Sequence, residues 1–340
     1  MNHEAGAMLL KSLIRINVVI VLLCFAVPAS GASKIYLGVF DNDKEKSLSD
    51  LSGVKEFERD AGKKVAIIHV FQAWGALDGK NQFDSKAMNV IRSHGSIPLL
   101  SWAPRALHRK ENQPEFALRN IIESKFDDYI TRYARDIKAW NHPLFLRFAH
   151  EMNGTWYPWS EEVNGNRTGE YVRAWRHVHR IFSREGVLNV TWVWCPSRKK
   201  AASQNLHKLY PGDEYVDWLG MDGFNDTRER PWRSLETLFE DIYREITKIS
   251  DKPVMIAEFS SLEEGGSKAR WIRRALNVTI PERFPHVGAV VWLNHKFSSE
   301  LDWRIESSAT AQKAFAEAVS SPIYIGNSLQ LISISPIPAP

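Results

Sequence analysis

Eight short apolar runs punctuate the chain, at Ile35–Phe40, Val65–Phe71, Ile97–Trp102, Leu144–Phe148, Val190–Trp194, Val216–Met221, Val254–Glu258 and Val287–Leu293. Each has the length of a buried strand. Polar, helix-compatible stretches separate most of them: Leu48–Ala61, Ser85–Ser93, Phe126–Trp140, Gly169–Glu185, Ser234–Ser250 and Gly266–Leu276, with Ser308–Val319 after the last. Behind Trp194 only Ala201–Lys208 offers a helix. Eight alternations of strand and helix predict an α/β chain folded as a single (β/α)8 TIM barrel. A doubly wound sheet is the alternative. It would carry a Gly-rich loop after the first strand, where this chain has Phe40-Asp41-Asn42-Asp43. In a barrel every strand C-terminus opens on one rim, and active sites sit there.

The ends of the fourth and seventh runs carry the chemistry. Pro143–Phe148 leads into Ala149-His150-Glu151-Met152-Asn153-Gly154-Thr155-Trp156-Tyr157-Pro158-Trp159. Pro253–Ala257 ends in Glu258, 107 positions after Glu151. A carboxyl group among aromatic faces and amides suits sugar hydrolysis: the acid protonates the glycosidic oxygen and flat rings stack on pyranose faces. The other reading of the first stretch is a helix start with aromatic packing. A retaining glycosidase needs its two carboxyl groups ~5–5.5 Å apart, and strand ends gathered on one rim can meet that demand. Glu151 then follows strand four and Glu258 ends strand seven.

Thirteen tryptophans occur, and six fall at expected strand exits: Trp74, Trp102, Trp156, Trp159, Trp194 and Trp292. Any one of them can be core. Trp102, Trp156 and Trp292 are the three expected to meet sugar, while Trp74, Trp159 and Trp194 stay open. Asp222, in Leu219-Gly220-Met221-Asp222-Gly223-Phe224-Asn225, either orients its neighbours, contacts hydroxyls or makes an Asp-Gly turn. Ser299–Arg304 is either cleft wall or salt-bridged loop. His150-Glu151 is not a His-Glu-x-x-His zinc site, because Gly154 stands at the second histidine's place, so no metal and no cofactor are expected. No Gly-x-Ser-x-Gly elbow points to a serine esterase. Cys195 reads as a small buried residue.

Length allows one barrel and little more. Residues 1–32 read as a secretory signal: Lys11 and Arg15 precede the apolar run Val18–Val27, and Ser30-Gly31-Ala32 offers a cleavage site. An uncleaved anchor is the alternative membrane association. Without those residues the formal charge is 42 − 39 = +3, with basic residues scattered, so nucleic acid is not an expected partner. One remaining cysteine, Cys195, excludes an internal disulfide and suits a periplasmic or secreted bacterial protein. Five Asn-x-Ser/Thr matches, at Asn153, Asn166, Asn189, Asn225 and Asn277, read as chance. The barrel is assigned to residues 33–322, and 323–340 to a surface-draped or disordered tail ending in three spaced prolines. No repeat or second domain is visible, and a monomer is expected.

On these residues the chain resembles glycoside hydrolase family 26, over roughly residues 35–320. Arg147-x-x-His150-Glu151-Met152-Asn153-Gly154, followed by Trp156, is similar to the family's acid/base motif, and Ile256-Ala257-Glu258 to its nucleophile strand. His150, Asn153, Trp102, Trp156, Asp222, Phe224 and Trp292 fall at places similar to its substrate-binding positions. The resemblance implies a (β/α)8 barrel, a double-displacement retaining mechanism without metal, and an endo-acting hydrolase, with β-1,4-mannan as the expected polysaccharide. Mixed-linkage β-glucan, β-1,3-xylan and bacterial exopolysaccharide are the alternatives. Where the family commonly has Asp-x-Tyr after strand six, this chain has Asp222-Gly223-Phe224. A barrel that binds polysaccharide without cleaving it is the reading from another class. The two glutamates speak against it and Phe224 keeps it open.

Overall fold

The computed structural model describes residues 33–41, 50–75, 81–107, 109–198, 205–226, 231–327 and 335–340. The expected signal segment, residues 42–49 with the start of Leu48–Ala61, and the first half of Ala201–Lys208 lie outside them. Eight parallel strands close into a barrel: β1 (Ile35–Phe40), β2 (Ile67–Gly75), β3 (Ile97–Ala106), β4 (Leu144–Phe148), β5 (Val190–Trp194), β6 (Trp218–Asn225), β7 (Val254–Ser261) and β8 (Val287–Leu293). β1 pairs with both β2 and β8 and so closes the ring. Four strands start where the sequence places them and end there too: β1, β4, β5 and β8. The others run on toward the rim, through polar residues that an apolar-run criterion cuts off.

Helices cover the outside: α1 (Ser52–Ala61), α2 (Ser85–His94), α3 (Leu118–Ile122), α4 (Asp127–Trp140), α5 (Glu170–Arg184), α6 (Leu206–Leu209), α7 (Leu235–Ile249), α8 (Lys268–Arg274) and α9 (Ala309–Val319). Side chains of Asp84, Ser234, Ser267 and Ser308 accept the first free amides of α2, α7, α8 and α9, as polar N-caps do. α3 is a short helix the polar pattern does not show. Among the described residues no helix is long and apolar enough to cross a membrane.

Alternation along each strand splits the core in two. One set fills the barrel: Tyr36, Ile67, Leu99, Phe145, Val193, Trp218, Met255, Ala289 and Val291. The other, with Trp102, Phe148, Trp194 and Trp292, packs against the helices. The tail departs from the surface-draped extension expected of it. Tyr324–Ile325 forms a ninth strand, β9, beside Ile35 and Tyr36 of β1, and Ile337 is buried among the residues that fill the barrel. Its amide donates to Thr191 Oγ1 at 2.8 Å, and its carbonyl accepts from Trp218 Nε1 at 2.7 Å. A single apolar residue with both backbone groups paired can be buried this way, and proline-rich flanks do not prevent it.

Candidate active site

One layer above the apolar filling the barrel interior becomes ionic. Following the inward residues of each strand upward gives His69 after Ile67, Ser101 after Leu99, Arg147 after Phe145, Cys195 after Val193 and Asp222 after Trp218 and Gly220. A side chain at Gly220 would put its Cβ 2.7 Å from that of Cys195, so the glycine makes room for the thiol. On β7 the alternation is broken. Met221 pairs with Ile256 but Asp222 with Glu258, which leaves Ala257 as an extra residue. This bulge brings Glu258 level with Asp222 at the top of the barrel.

Arg147 joins the pieces. Its side chain is fully buried and donates to Asp222 Oδ2 at 2.6 Å and to Glu258 Oε1. Burial works against its charge. The carboxylates of Asp222 and Glu258 outweigh that and hold Arg147 well above its ordinary value.

Glu151 reaches the rim by a sharp turn of the chain after β4. Ala149 (φ 44°) and Glu151 (φ 54°) both lie in the left-handed region that non-glycine residues avoid. The turn is bolted by four hydrogen bonds: Ala149 N–H to Trp102 O (3.2 Å), Tyr171 O–H to Ala149 O (3.2 Å), Trp159 Nε1–H to His150 O (2.7 Å) and Glu151 N–H to Cys195 O (2.7 Å). Trp156 then folds back, and its indole N–H donates to Glu151 Oε2 at 2.6 Å. Gly154 has no Cβ, and one there would lie 2.4 Å from that ring. Burial raises the Glu151 carboxyl to about 7, the Glu258 carboxylate adds to the rise, and the Trp156 bond opposes it. Glu258, by contrast, has a fixed guanidinium as partner. Two carboxyl groups, one held as an acid and one ion-paired, share the site.

A cleft of about 560 Å³ opens above Glu258. Glu258, His150, Tyr157, Trp159, Phe71, Phe40, Phe224, Trp303 and Phe297 are among its walls. Tyr157 stacks on Trp159 at 4.4 Å, with the rings nearly parallel, and its hydroxyl lies 3.3 Å from His150 Nε2. Burial, then Arg147 and Arg105, push His150 well below its ordinary value, so it is neutral. Phe71 is 43% exposed and Phe297 58% exposed, both into this cleft.

The expected substrate contacts divide. His150 and Phe224 line the cleft, Phe224 with its ring against Trp303. Trp156 is 38% exposed beside Glu151. Trp102 and Trp292 do not reach the cleft and need correcting. Trp102 stacks on Tyr133 of α4 at 4.4 Å and bonds Tyr129. Trp292 lies among Phe259, Trp271 and Phe315 and bonds Trp303 O. Both sit on the outward phase of their strands. Asn153 and Asp222 are also fully buried, so they hold structure rather than touch sugar. Asn153 exchanges bonds with the backbone of Ser197 at 2.7 and 2.8 Å, and Asp222 holds Arg147. Of the undecided tryptophans, Trp74 and Trp194 are core, and Trp159 is fully buried as well, beneath Tyr157 at the base of the cleft. Asp302 and Arg304 form a bidentate ion pair at 2.7–2.8 Å, and Leu301 before the pair and Trp303 within it line the cleft. That loop is therefore both wall and salt bridge. The sequence reading missed the part played by Arg147 and Ser101, and missed His69.

A parallel barrel with two such glutamates on its C-terminal rim is the site architecture of a glycoside hydrolase. The model of glycosyl hydrolase family 26 matches residues 107–273. Endoglucanase H of Acetivibrio thermocellus is 34% identical over 92% of this chain, which spans 33% of that protein. A β-1,3-xylanase of a Vibrio species is 28% identical over 32% of the chain and is itself matched over 22% of its length. The chain thus spans about a third or less of these curated relatives. Among solved structures, a Bacillus subtilis mannanase superposes with a TM-score of 0.62 at 18% identity, over 91% of both chains. The chain belongs to glycosyl hydrolase family 26.

Proposed function

We propose that this protein is an endo-acting, retaining β-glycosidase whose acid/base is Glu151 and whose nucleophile is Glu258. The observation that carries this reading is the opposite treatment of the two carboxyls. Glu151 is raised to about 7 by burial and its neighbour, whereas Glu258 is bound by the guanidinium of Arg147. Glu258 attacks the anomeric carbon as the glycosidic bond breaks, and the Glu151 proton passes to the leaving oxygen. Water, deprotonated by Glu151, then displaces Glu258. Tyr157, backed by the buried Trp159, gives a sugar ring a flat face, and the neutral His150 lies at its edge. Trp156 and Phe71 extend the apolar contact.

The backbone we favour is β-1,4-mannan, as the motif resemblance and the superposed mannanase suggest. A second reading, β-glucan, is favoured by the 34% identity to Endoglucanase H across 92% of the chain. A reducing-sugar assay on mannan, galactomannan, lichenan, β-1,3-xylan and bacterial exopolysaccharide decides between them. Release from mannan is expected. Release from lichenan alone replaces mannan with glucan, and binding without release from any of them makes the barrel a lectin. Export is part of the proposal and rests on the basic and apolar pattern of residues 11–32.

A further inference from the structure

We propose that Ser101 is a positioning residue whose hydroxyl locks Arg147 against Glu258 and fixes His69 as the Nδ1–H tautomer. The functional half rests on Glu258 being the nucleophile. The tautomer stands on geometry alone.

Ser101 and Arg147 are register neighbours on β3 and β4, both on the inward phase. A guanidinium has five N–H donors and no acceptor, and here every donor is met. Nε–H donates to Ser101 Oγ at 2.7 Å. Nη1 donates to Asp222 Oδ2 at 2.6 Å and to Cys195 Sγ at 3.7 Å. Nη2 donates to Glu258 Oε1 and lies 3.2 Å from His69 Nε2. Because Nη2 can only donate, its fifth bond is completed by a lone pair on His69 Nε2, and the ring proton then resides on Nδ1, which is buried and has no partner of its own. Ser101 Oγ is 2.7 Å from the same Nε2. Already accepting from Arg147, it sends its one proton to that lone pair, where two donors converge and the serine is the nearer. Burial and the Arg147 charge hold His69 neutral, in keeping with this assignment. Ser101, His69 and Arg147 are all at most 1% exposed, so bulk water is no substitute partner.

The consequence is directional. Ser101 on one edge of the guanidinium and Asp222 on the other fix its plane, and that plane aims Nη2 at the nucleophile. Alanine at 101 leaves the buried Nε–H without an acceptor, and the space of one oxygen is too small to admit a water with partners of its own. The guanidinium can then tilt, and small misplacements of a reacting group cost about 10- to 100-fold in rate.

Two readouts on the full chain test this. In the wild type, ¹⁵N–¹H long-range NMR at neutral pH should show His69 neutral, with the proton on Nδ1 and a bare Nε2. A proton on Nε2, or on both nitrogens, overturns the proposal whether or not the enzyme is active. Ser101→Ala should lower kcat on an activated aryl β-glycoside by about 10- to 100-fold with KM within about threefold. Wild-type kcat in a folded Ser101→Ala protein would overturn the positioning role. Should Glu258→Ala retain activity, the nucleophile assignment fails instead, and the NMR result still judges the tautomer.

Discussion

At the scale of single residues, the site turns on how Glu151 keeps its proton. Trp156 donates to Glu151, and that bond favours the carboxylate over the acid. Burial and Glu258 act the other way and win, at about 7. As the proposed acid, Glu151 must be protonated to act, so kcat/KM should fall as pH rises through about 7. Trp156→Phe removes a contribution that lowers the pKa, so this alkaline limb should move to higher pH. A pH–rate profile of the two proteins checks the sign, and a limb that moves down would show that Trp156 does not control Glu151. Glu151→Ala should cost about 10²- to 10⁴-fold on natural polysaccharide and much less on an activated aryl glycoside, whose leaving group needs no proton. Comparing the two substrates separates loss of the acid from general damage.

At the scale of elements, strand phase decides which residue meets substrate. Ser101 and Arg147 point in, while their chain neighbours Trp102 and Phe148 point out to the helices. Trp102→Ala should therefore destabilise the fold by about 3–5 kcal/mol, the cost of truncating a buried aromatic, and leave KM unchanged in the protein that remains folded. Trp156→Ala should do the reverse. Thermal unfolding and steady-state kinetics on both variants give the comparison. The same phase explains what the sequence could and could not convey. The strands of a barrel are buried on both faces, so they appear as continuous apolar runs and hide their alternation. The eight runs and the order of elements were legible for that reason, and so were Glu151 and Glu258 at run ends. Which of Ser101 and Trp102 faces inward was not. One signal was available: an arginine inside the apolar run Leu144–Phe148 has to find anionic partners, and Asp222 and Glu258 are the inward acids at matching height. The bulge at Ala257 and the left-handed turn at Ala149 and Glu151 carry no local signature, since no glycine marks either.

At the scale of the whole molecule, one end of the barrel is chemistry and the other is a seal. Ile337 completes the apolar filling and satisfies Trp218 and Thr191. Ile337→Asp buries a charge with no cationic partner among those residues, and should lower stability by about 2–5 kcal/mol. Chemical denaturation would show it as a lower midpoint, and an unchanged midpoint would mean that the tail leaves the barrel in solution. Above the seal, in the proposed mechanism, Glu258 forms a bond to the sugar while Glu151 serves as acid and then base. The direct measurement is proton NMR of the products in the first minutes of hydrolysis, before mutarotation. Two displacements at the anomeric carbon predict that the new reducing end appears first as the β-anomer. An α-anomer appearing first would mean a single displacement by water, and would contradict the assignment of Glu258 as nucleophile.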